Sequence, residues 1–390
     1  MFTRAAIVGI GLTKCGKYPE LSHKELLYRA TRTALEDAGL SREDIGTAFT
    51  TSYDFVEGRS LSNQYTLDSI GGVMKPCDLR LGDNGLYGVV AGYMEAVIRS
   101  NETVVVASVL KSSEREDDAD NRLCLASSEH LYTRPVLANM NGNAEYILAA
   151  MEARLFMRQS GVTEQNIAAV AVKNYKNAIK NERAEKGREI TREEVLNSES
   201  LASPIKKLTV AGSTDVACVL ILASEELARS ISDNPVWISG IGWCTDTARL
   251  TERNLATSKA TRIAAGNAYA MASIKHPAQD IDVAEVYDPY AYKEVQHCEA
   301  LGLCPDGEAE KFIEEGFWNF DGRLPVNPSG GLLGGGHAIG TSGLVRVAEA
   351  ALQIRGEAGA HQISNVEVAL AHAGGGVTDG SAGVVILSRW

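Results

Sequence analysis

The highest density of glycine in the chain lies in residues 327–343, NPSGGLLGGGHAIGTSG, and this segment holds one histidine, His337. Glycines before a helix let backbone N–H groups approach a ligand closely, and the helix N-terminus adds a partial positive charge. His337 can hydrogen-bond a thioester or ketone oxygen there, or transfer a proton near neutral pH. The segment therefore predicts a site for a developing oxyanion; a turn-rich loop with an incidental histidine is the alternative.

Two further segments contain residues that can exchange protons. His372 opens the sequence HAGGG, and Tyr287 opens the sequence YDPY. Because the ordinary pKa of tyrosine is about 10, Tyr287 needs a neighbouring histidine or a helix dipole to act as a base. The alternative is a packing tyrosine at a strand end, with Tyr290 or Tyr292 equally placed. We expect Asp288 to hold a partner histidine or a backbone turn.

Two other ionisable residues near these segments are expected to have no catalytic part. Glu285 lies on the strand that leads to Tyr287 and is expected to be solvated. His297 has no glycine-rich context, so a surface histidine or a hydrogen-bonded core histidine is the expected interpretation.

Composition and charge limit the class of protein. The 390 residues carry 50 acidic and 38 basic side chains, a formal net charge of −12, which disfavours binding to nucleic acid or to an acidic membrane surface. No apolar run reaches the ~18 residues of a membrane helix, and residues 1–11 lack a signal-peptide pattern. We therefore expect a cytoplasmic protein with no membrane span. The seven cysteines are scattered without a CxxC pair, which predicts neither a disulfide framework nor a metal site.

Short apolar runs alternate with helical periodicity along the chain, which predicts an α/β protein with a parallel sheet. In the first half the predicted strands cover residues 5–10, 47–53, 103–109 and 216–223, and the helices cover residues 24–38 and 85–98. In the second half the predicted strands cover residues 236–241, 283–287, 366–371 and 382–388, with helices at 259–274, from about 290, and beginning within 334–346.

The segment between the two halves has a different character. Residues 112–207 contain charged clusters, two helical stretches at 144–160 and 164–180, and a polar stretch after them. We interpret this segment as an inserted loop domain. The halves, residues 1–111 plus 208–228 and residues 229–390, repeat the same order of elements, which indicates a duplication.

The glycine-rich segment at His337 resembles the thiolase-superfamily pattern NxxGGxxxxGHPxGxSG, with Ala338 in place of the usual proline. Segments at residues 172–178, 194–198, 203–205 and 213–215 resemble the loop domain of the sterol-carrier-protein-type, or lipid-transfer, subset. The resemblance covers essentially the whole chain. It implies the five-layer αβαβα thiolase fold, a homodimer and acyl-CoA thioester substrates, with coenzyme A as part of the substrate and no covalently bound cofactor.

Three positions depart from the family pattern. The nucleophilic cysteine of thiolases falls on Gly85, which has no side chain to react. The acid/base cysteine of the family's CxGGG loop falls on His372, and the motif Asn-Glu-Ala-Phe or His-Asp-Cys-Phe falls on Tyr287. Gly85, Gly336, Gly374 and Gly375 are assigned to the glycine loops that would hold an oxyanion.

These departures change the chemistry that the site supports. Thiolytic cleavage of a β-ketoacyl-CoA needs a nucleophile, and that route is closed unless Cys77 or Cys124 fills the gap. Retro-aldol cleavage of a β-hydroxyacyl-CoA needs only a base, an oxyanion hole and an acid. Tyr287, His337 and His372 meet that demand, and the sequence does not decide which is the base and which the acid.

Within the lipid-transfer subset the chain resembles the steroid side-chain aldolases, which lack the thiolase cysteine and place a tyrosine at the position of Tyr287. The resemblance implies cleavage of a β-hydroxyacyl-CoA on a steroid or similar compound, and a small accessory protein with a zinc ribbon and an OB fold. Those aldolases tend to have tyrosine where this chain has His337. The basic residues of segments 173–188 and 206–207 are candidates for contacts with the CoA phosphates.

Two other functions stay open at this point. One is a thiolase or acetyl-CoA acyltransferase that acts on a β-ketoacyl-CoA by an atypical mechanism. The other is a non-catalytic carrier or scaffold that binds acyl-CoA or lipid.

Overall fold

The computed structural model describes residues 4–53, 62–75, 78–82, 84–98, 103–114, 144–376 and 378–390. Cys77 and Cys124, the two cysteines considered as substitute nucleophiles, lie outside these residues.

The N-terminal half alternates strands and helices as predicted. α1 begins where Ser22 and Glu25 form a reciprocal capping box, and it ends where Gly39 adopts a left-handed conformation. The elements are β1 (Ala5–Leu12), α1 (His23–Ala38), β2 (Ile45–Ser52), α2 (Ser62–Ile70), β3 (Asp78–Gly82), α3 (Leu86–Ile98) and β4 (Thr103–Lys111), with a short 3₁₀ turn at Ser112–Glu114.

The predicted loop domain is mainly helical in its described part. It contains α4 (Ala144–Ser160), α5 (Glu164–Ala178), α6 (Arg192–Asn197), β5 (Ser200–Ala202), β6 (Ile205–Lys206) and a 3₁₀ turn at Lys207–Thr209. The chain then returns to the main sheet through β7 (Asp215–Ser224) and α7 (Glu225–Ile231).

The C-terminal half repeats the alternation with longer connections. Its elements are β8 (Val236–Thr245), α8 (Lys259–Ala272), α9 (Pro277–Asp280), β9 (Val283–Glu285), α10 (Ala291–Ala300), α11 (Ala309–Glu314), α12 (Gly331–Gly335), α13 (Thr341–Arg355), β10 (Val368–Gly375) and β11 (Ser381–Ser388), with 3₁₀ turns at Leu250–Glu252 and Gly359–His361. β10 therefore includes most of the glycines that the sequence placed in a loop.

The nine main strands form one mixed sheet in the order β3-β2-β4-β7-β1-β8-β11-β10-β9. β7 runs antiparallel to β1 and β4, and β11 runs antiparallel to β8 and β10. The prediction of a parallel sheet is wrong in this respect. Apolar runs report burial on both faces but not direction, and each antiparallel strand follows either the insertion or a hairpin.

Helices cover the sheet in layers. α3 and α13 contact strands of both halves, so they form a central layer between them. α1 packs on the outside against β1 and β7, and α8 packs on the outside against β8 and β11. The two halves of the one sheet, joined by the β1–β8 pairing, therefore lie on either side of the central helices, and the order of outer helix, half-sheet, central helices, half-sheet and outer helix matches the expected five-layer architecture.

The duplication is visible in two matching strand–helix contacts. A Cβ atom on Gly11 of β1 would lie 1.8 Å from the carbonyl oxygen of Ala30 in α1. A Cβ atom on Gly242 of β8 would lie 1.9 Å from the carbonyl oxygen of Ala264 in α8. Only glycine permits so close an approach, so both halves pack their first helix against their first strand in the same way.

Candidate active site

A cavity of about 110 Å³ lies where the loop domain meets the C-terminal half. Residues from α4, from the segment after β9, from the glycine-rich segment and from the β10–β11 hairpin form its walls. In the described part of the chain these are Tyr53, Glu145, Leu148, Ala149, Glu152, Tyr287, Pro289, Tyr290, Tyr292, Lys293, His337, Ile339, Gly375, Gly376, Thr378 and Asp379.

Tyr287 and His337 meet at the wall of this cavity. The Tyr287 Oη atom lies 2.8 Å from His337 Nε2, and the two rings pack edge to face at 77°. His337 is held by its backbone, since its N–H donates to Gly212 at 2.7 Å and its carbonyl accepts from Thr214 at 3.2 Å. The two sequence-predicted residues therefore form one hydrogen-bonded pair that faces the cavity.

Asp288 supports the glycine-rich segment and lies behind the reactive pair. Its carboxylate accepts the backbone N–H groups of Leu332 and Leu333 at 2.6 and 3.3 Å, and Asn174 Nδ2 at 2.8 Å. Burial, and after it the charge of Glu294, raise the pKa of Asp288 well above its usual range. Asp288 thus holds a backbone turn.

Glu285 anchors the same segment, and the expectation that it is solvated is wrong. Its side chain is fully buried and accepts hydrogen bonds from Ser329 Oγ at 2.6 Å and Arg346 at 2.5 Å. Burial raises the pKa of Glu285 despite the arginine. The alternation of a strand could not reveal this, because β9 is buried on both faces.

Gly85 is closed to any side chain. A Cβ atom there would lie 2.8 Å from both the backbone nitrogen and the Cβ atom of Leu344 in α13. The Gly85 N–H already donates to the Gly340 carbonyl at 2.5 Å. The prediction that Gly85 contributes to an oxyanion hole is therefore wrong, because its donor is engaged between two helices.

His372 lies behind the cavity and does not belong to its described lining. Its side chain is fully buried, with Nε2 3.1 Å from Thr261 Oγ1 and its ring 4.5 Å from that of His297. Burial, and after it the neighbouring His297, keep the pKa of His372 well below its usual range. Ala373, one position on, approaches Gly343 beside Gly85. Neighbouring residues on a strand face opposite sides of the sheet, so His372 and Ala373 have different surroundings, and the acid/base role of His372 stays a prediction.

Of the other predicted glycines, only Gly375 lines the described cavity. Gly336 donates its N–H to the Leu332 carbonyl at 2.8 Å. Gly374 leaves room for Asp379, whose Cγ would lie 2.7 Å from an added Cβ atom.

Sequence reasoning missed a buried charge cluster on the cavity floor. Lys293 Nζ lies 2.8 Å from Glu152, 3.0 Å from Asp379 and 3.1 Å from Gln296, so three acceptors surround its three protons. Burial alone would raise the pKa of Asp379, but Lys293 and His297 hold it below its usual range.

His297 links this charge cluster to the Tyr287–His337 pair. It is a hydrogen-bonded core histidine, as expected, and it also contacts residues of the cavity wall. Its Nδ1–H donates to the Tyr287 carbonyl at 2.8 Å, and its Nε2 lies 3.3 Å from Asp379 Oδ2. Both ring nitrogens therefore face acceptors. His297 fixes the backbone of Tyr287 to the hairpin that carries Asp379.

Two more tyrosines of the cavity donate to carboxylates of α4. Tyr290 Oη lies 2.5 Å from Glu145, and Tyr292 Oη lies 2.9 Å from Glu152. Burial, followed by Glu152, raises the pKa of Tyr292 well above its usual range. A signal existed in the sequence: Glu145, Ala149 and Glu152 share one face of a helix, so acidic residues lie on a buried stripe.

Two of the candidate phosphate-binding residues are used inside the protein. Lys173 Nζ lies 2.8 Å from Glu294, and Arg183 lies 3.2 Å from Glu349, each in a largely buried ion pair. These two cations are therefore engaged inside the fold and do not present a phosphate-binding surface.

No helix in the described part of the chain is long and apolar enough to cross a membrane. The same residues contain no group of three or more His, Cys, Asp or Glu side chains arranged to hold a metal ion.

Comparison with known proteins agrees with this architecture. A family model described as "Thiolase C-terminal domain-like" matches residues 242–389. The acetyl-CoA acetyltransferase of Methanothermobacter thermautotrophicus is 31% identical over 98% of this chain and 99% of its own length. Sterol carrier protein 2 of Bos taurus is 27% identical over 95% of this chain and 69% of its own length.

A solved structure described as an Ltp2-ChsH2(DUF35) aldolase has a TM-score of 0.81 to this chain at 26% identity, and covers 99% of this chain and 98% of that chain. Both the sheet topology and these similarities agree with the sequence-based expectation. The chain belongs to the thiolase superfamily, in its sterol-carrier-protein-type subset.

Proposed function

We propose that this protein cleaves a carbon–carbon bond of a β-hydroxyacyl-CoA by a retro-aldol reaction, giving a carbonyl compound and a shorter acyl-CoA. The observation that carries the proposal is the closed position of Gly85. An acyl-enzyme there would need a side chain where the Leu344 backbone lies 2.8 Å from an added Cβ atom. A reaction without a covalent intermediate needs no such side chain.

The cavity supplies groups for the non-covalent route. The reaction needs a base for the β-hydroxyl proton, donors for the thioester enolate oxygen, and an acid for Cα. The Tyr287–His337 pair can accept or donate a proton, because neutral histidine has one nitrogen of each kind and protonated histidine donates from both. Gly375 lies in the wall of the same cavity.

Similar proteins support this proposal and suggest the partner and the substrate class that we add to it. The aldolase with a TM-score of 0.81 is described as a complex with ChsH2(DUF35). We extend this to a small accessory protein, of the zinc-ribbon and OB-fold kind, that binds the present chain. A steroid side chain or a similar acyl group, as in steroid degradation and lipid metabolism, is the proposed substrate class.

We also propose a homodimer in the cytoplasm. In the described part of the chain, no strand pairs with the outer edge of β3, so this edge is available to a second copy. The described cysteines, Cys15, Cys218, Cys244, Cys298 and Cys304, are all free, which fits a reducing compartment.

A second candidate is a thiolase or acyltransferase reaction on a β-ketoacyl-CoA. The 31% identity to an acetyl-CoA acetyltransferase over nearly the whole chain favours it. In that case the nucleophile would be Cys77 or Cys124, both outside the described residues.

Product analysis separates the two candidates. The chain, with and without its accessory protein, is incubated with matched β-hydroxyacyl-CoA and β-ketoacyl-CoA compounds, and products are identified by liquid chromatography and mass spectrometry. We expect a ketone or aldehyde and a shorter acyl-CoA from the hydroxy compounds alone. Turnover of only the keto compounds, and only with free CoA, would support the acyltransferase.

A further inference from the structure

We propose that the base for the β-hydroxyl proton is the Tyr290–Glu145 pair, and that the Tyr287–His337 pair serves the other proton, at Cα. This inference rests on the proposed retro-aldol function and assigns the two proton transfers within it.

The two pairs lie in the same cavity and arise from different elements. Tyr290 precedes α10 and Glu145 lies in the first turn of α4, while Tyr287 follows β9 and His337 follows α12. All four side chains line the cavity of about 110 Å³. Tyr290 Oη lies 2.5 Å from Glu145, a length typical of a charge-assisted hydrogen bond.

The two pairs differ in the direction in which they can transfer a proton, because Glu145 is a carboxylate and His337 is an imidazole. An ionised carboxylate only accepts hydrogen bonds, so the Tyr290 phenol donates to Glu145 and can pass its proton to that carboxylate. A protonated His337 donates through Nε2 to Tyr287 Oη, and the Tyr287 O–H then points elsewhere. The first pair is built to take a proton, and the second can deliver one.

Other ionisable groups near the cavity are occupied. His372 lies behind the described lining with Thr261 and His297 as neighbours. Lys293 has three acceptors for its three protons. Tyr292 donates to Glu152, but that carboxylate also neutralises Lys293, so this third tyrosine belongs to the charge cluster.

The proton balance closes with these assignments. Tyr290 takes the β-hydroxyl proton as its own proton moves to Glu145. The Cα–Cβ bond breaks, the β-carbon becomes a carbonyl, and the electron pair forms the thioester enolate. Tyr287 gives its phenolic proton to Cα and recovers one from protonated His337. One proton passing from Glu145 to His337 through solvent restores the starting state.

Two assays measure separately the transfer of the β-hydroxyl proton and the transfer of the proton at Cα. The first measures cleavage of the β-hydroxyacyl-CoA, and the second measures exchange of the Cα hydrogens of acetyl-CoA and propionyl-CoA in D₂O by mass spectrometry. Exchange needs only the group that serves Cα. The variants are Glu145→Gln, which keeps an oxygen for Tyr290 but cannot take its proton, Tyr290→Phe, and the matched control Tyr269→Phe, whose hydroxyl donates to the Leu301 carbonyl outside the described cavity lining.

We expect Glu145→Gln and Tyr290→Phe to lower the cleavage rate by roughly 10²–10⁴-fold, the usual contribution of a general base, and to leave the exchange rate within about twofold. Tyr269→Phe should change both rates only slightly. Tyr287→Phe should lower both.

Three results would overturn the assignment. If the Glu145→Gln variant cleaves the β-hydroxyacyl-CoA at the wild-type rate, Glu145 takes no part in the reaction. Equal losses of cleavage and exchange in Glu145→Gln would show that Glu145 serves both protons or only the structure. Wild-type protein that exchanges Cα hydrogens but cleaves no β-hydroxyacyl-CoA would remove the proposed function itself, and the assignment with it.

Discussion

The two duplicated halves share their packing and differ in their chemistry. Each half sets its first helix on its first strand through a glycine, Gly11 in one and Gly242 in the other, at nearly equal distances from a helix carbonyl. The central helices differ. Gly85, the residue before α3, has no reactive side chain, whereas the glycine-rich segment before α13 carries His337. Duplication has therefore preserved the scaffold on both sides while the chemical groups lie in the C-terminal half and on α4.

The largest effect that this comparison predicts is a loss of cleavage activity when a cavity residue of the C-terminal half is substituted. Tyr287→Phe should lower the cleavage rate by roughly 10²–10⁴-fold, because it removes the hydroxyl that contacts His337 and can exchange a proton. Tyr87→Phe in α3, a loss of one hydroxyl in the other half, is the matched control and should change the rate by less than about threefold. Steady-state kinetics with a thermal melt of each variant gives the measurement. Equal losses in both would contradict the division.

The next effect concerns stability at the former nucleophile position. Gly85→Cys should lower the free energy of unfolding by about 1–3 kcal/mol, because the added atoms press against Leu344 and overpack the central layer. Urea unfolding measures this change, with Gly266→Cys as a comparison at a helical position where an added Cβ atom meets nothing within 4 Å. A stable Gly85→Cys variant that forms an acyl adduct would show that the site still accepts a nucleophile.

A matched pair of substitutions tests whether the glycine contacts of the two halves contribute equally to stability. Gly11→Ala and Gly242→Ala should each lower the free energy of unfolding by about 1–3 kcal/mol, since the Cβ atoms would lie 1.8 and 1.9 Å from helix carbonyls. Chemical unfolding of both variants, made side by side, tests whether the halves are equivalent. A loss in one variant only would mean that the two contacts are not equally important.

The smallest effect is a pH dependence shared by both halves. Burial raises the pKa of Cys15 to about 12 and that of Cys298 well above its usual range. The unfolded thiols ionise near pH 8.5, so above about pH 9 the unfolded state binds fewer protons and the free energy of unfolding falls. Urea midpoints at pH 7, 9 and 10 measure the slope. Cys15→Ala and Cys298→Ala should each make it shallower by a similar amount, and an unchanged slope would rule out these thiols as its cause.

Much of the fold was accessible from the sequence because it depends on local signals. The apolar run of β4 and the Ser22–Glu25 cap of α1 each specify an element without reference to the rest of the chain. Strand direction was not accessible, because β7 and β11 have the same apolar character as the parallel strands.

The site was predicted in part, because some of its residues also give local signals in the sequence. The glycine-rich segment and Tyr287 stand out by residue type, and the structure brings Tyr287 and His337 to 2.8 Å. A motif gives the order of residues but not the face of a strand, so the sequence could not show that His372 contacts Thr261 and His297 instead of lying in the described cavity lining. Glu145 shares a helix face with Glu152, but its partner Tyr290 lies 145 positions away, so the sequence could not pair the two.

The central claim is that the reaction proceeds without an acyl-enzyme, and intact-protein mass spectrometry tests it most directly. The protein, alone and with the proposed accessory protein, is quenched during turnover of β-hydroxyacyl-CoA and β-ketoacyl-CoA compounds and then weighed. We predict an unmodified mass at every time point, together with a carbonyl product and a shorter acyl-CoA from the hydroxy compounds. A mass increase equal to the acyl group, located on any cysteine by peptide mapping, would contradict the claim and restore a thiolase mechanism.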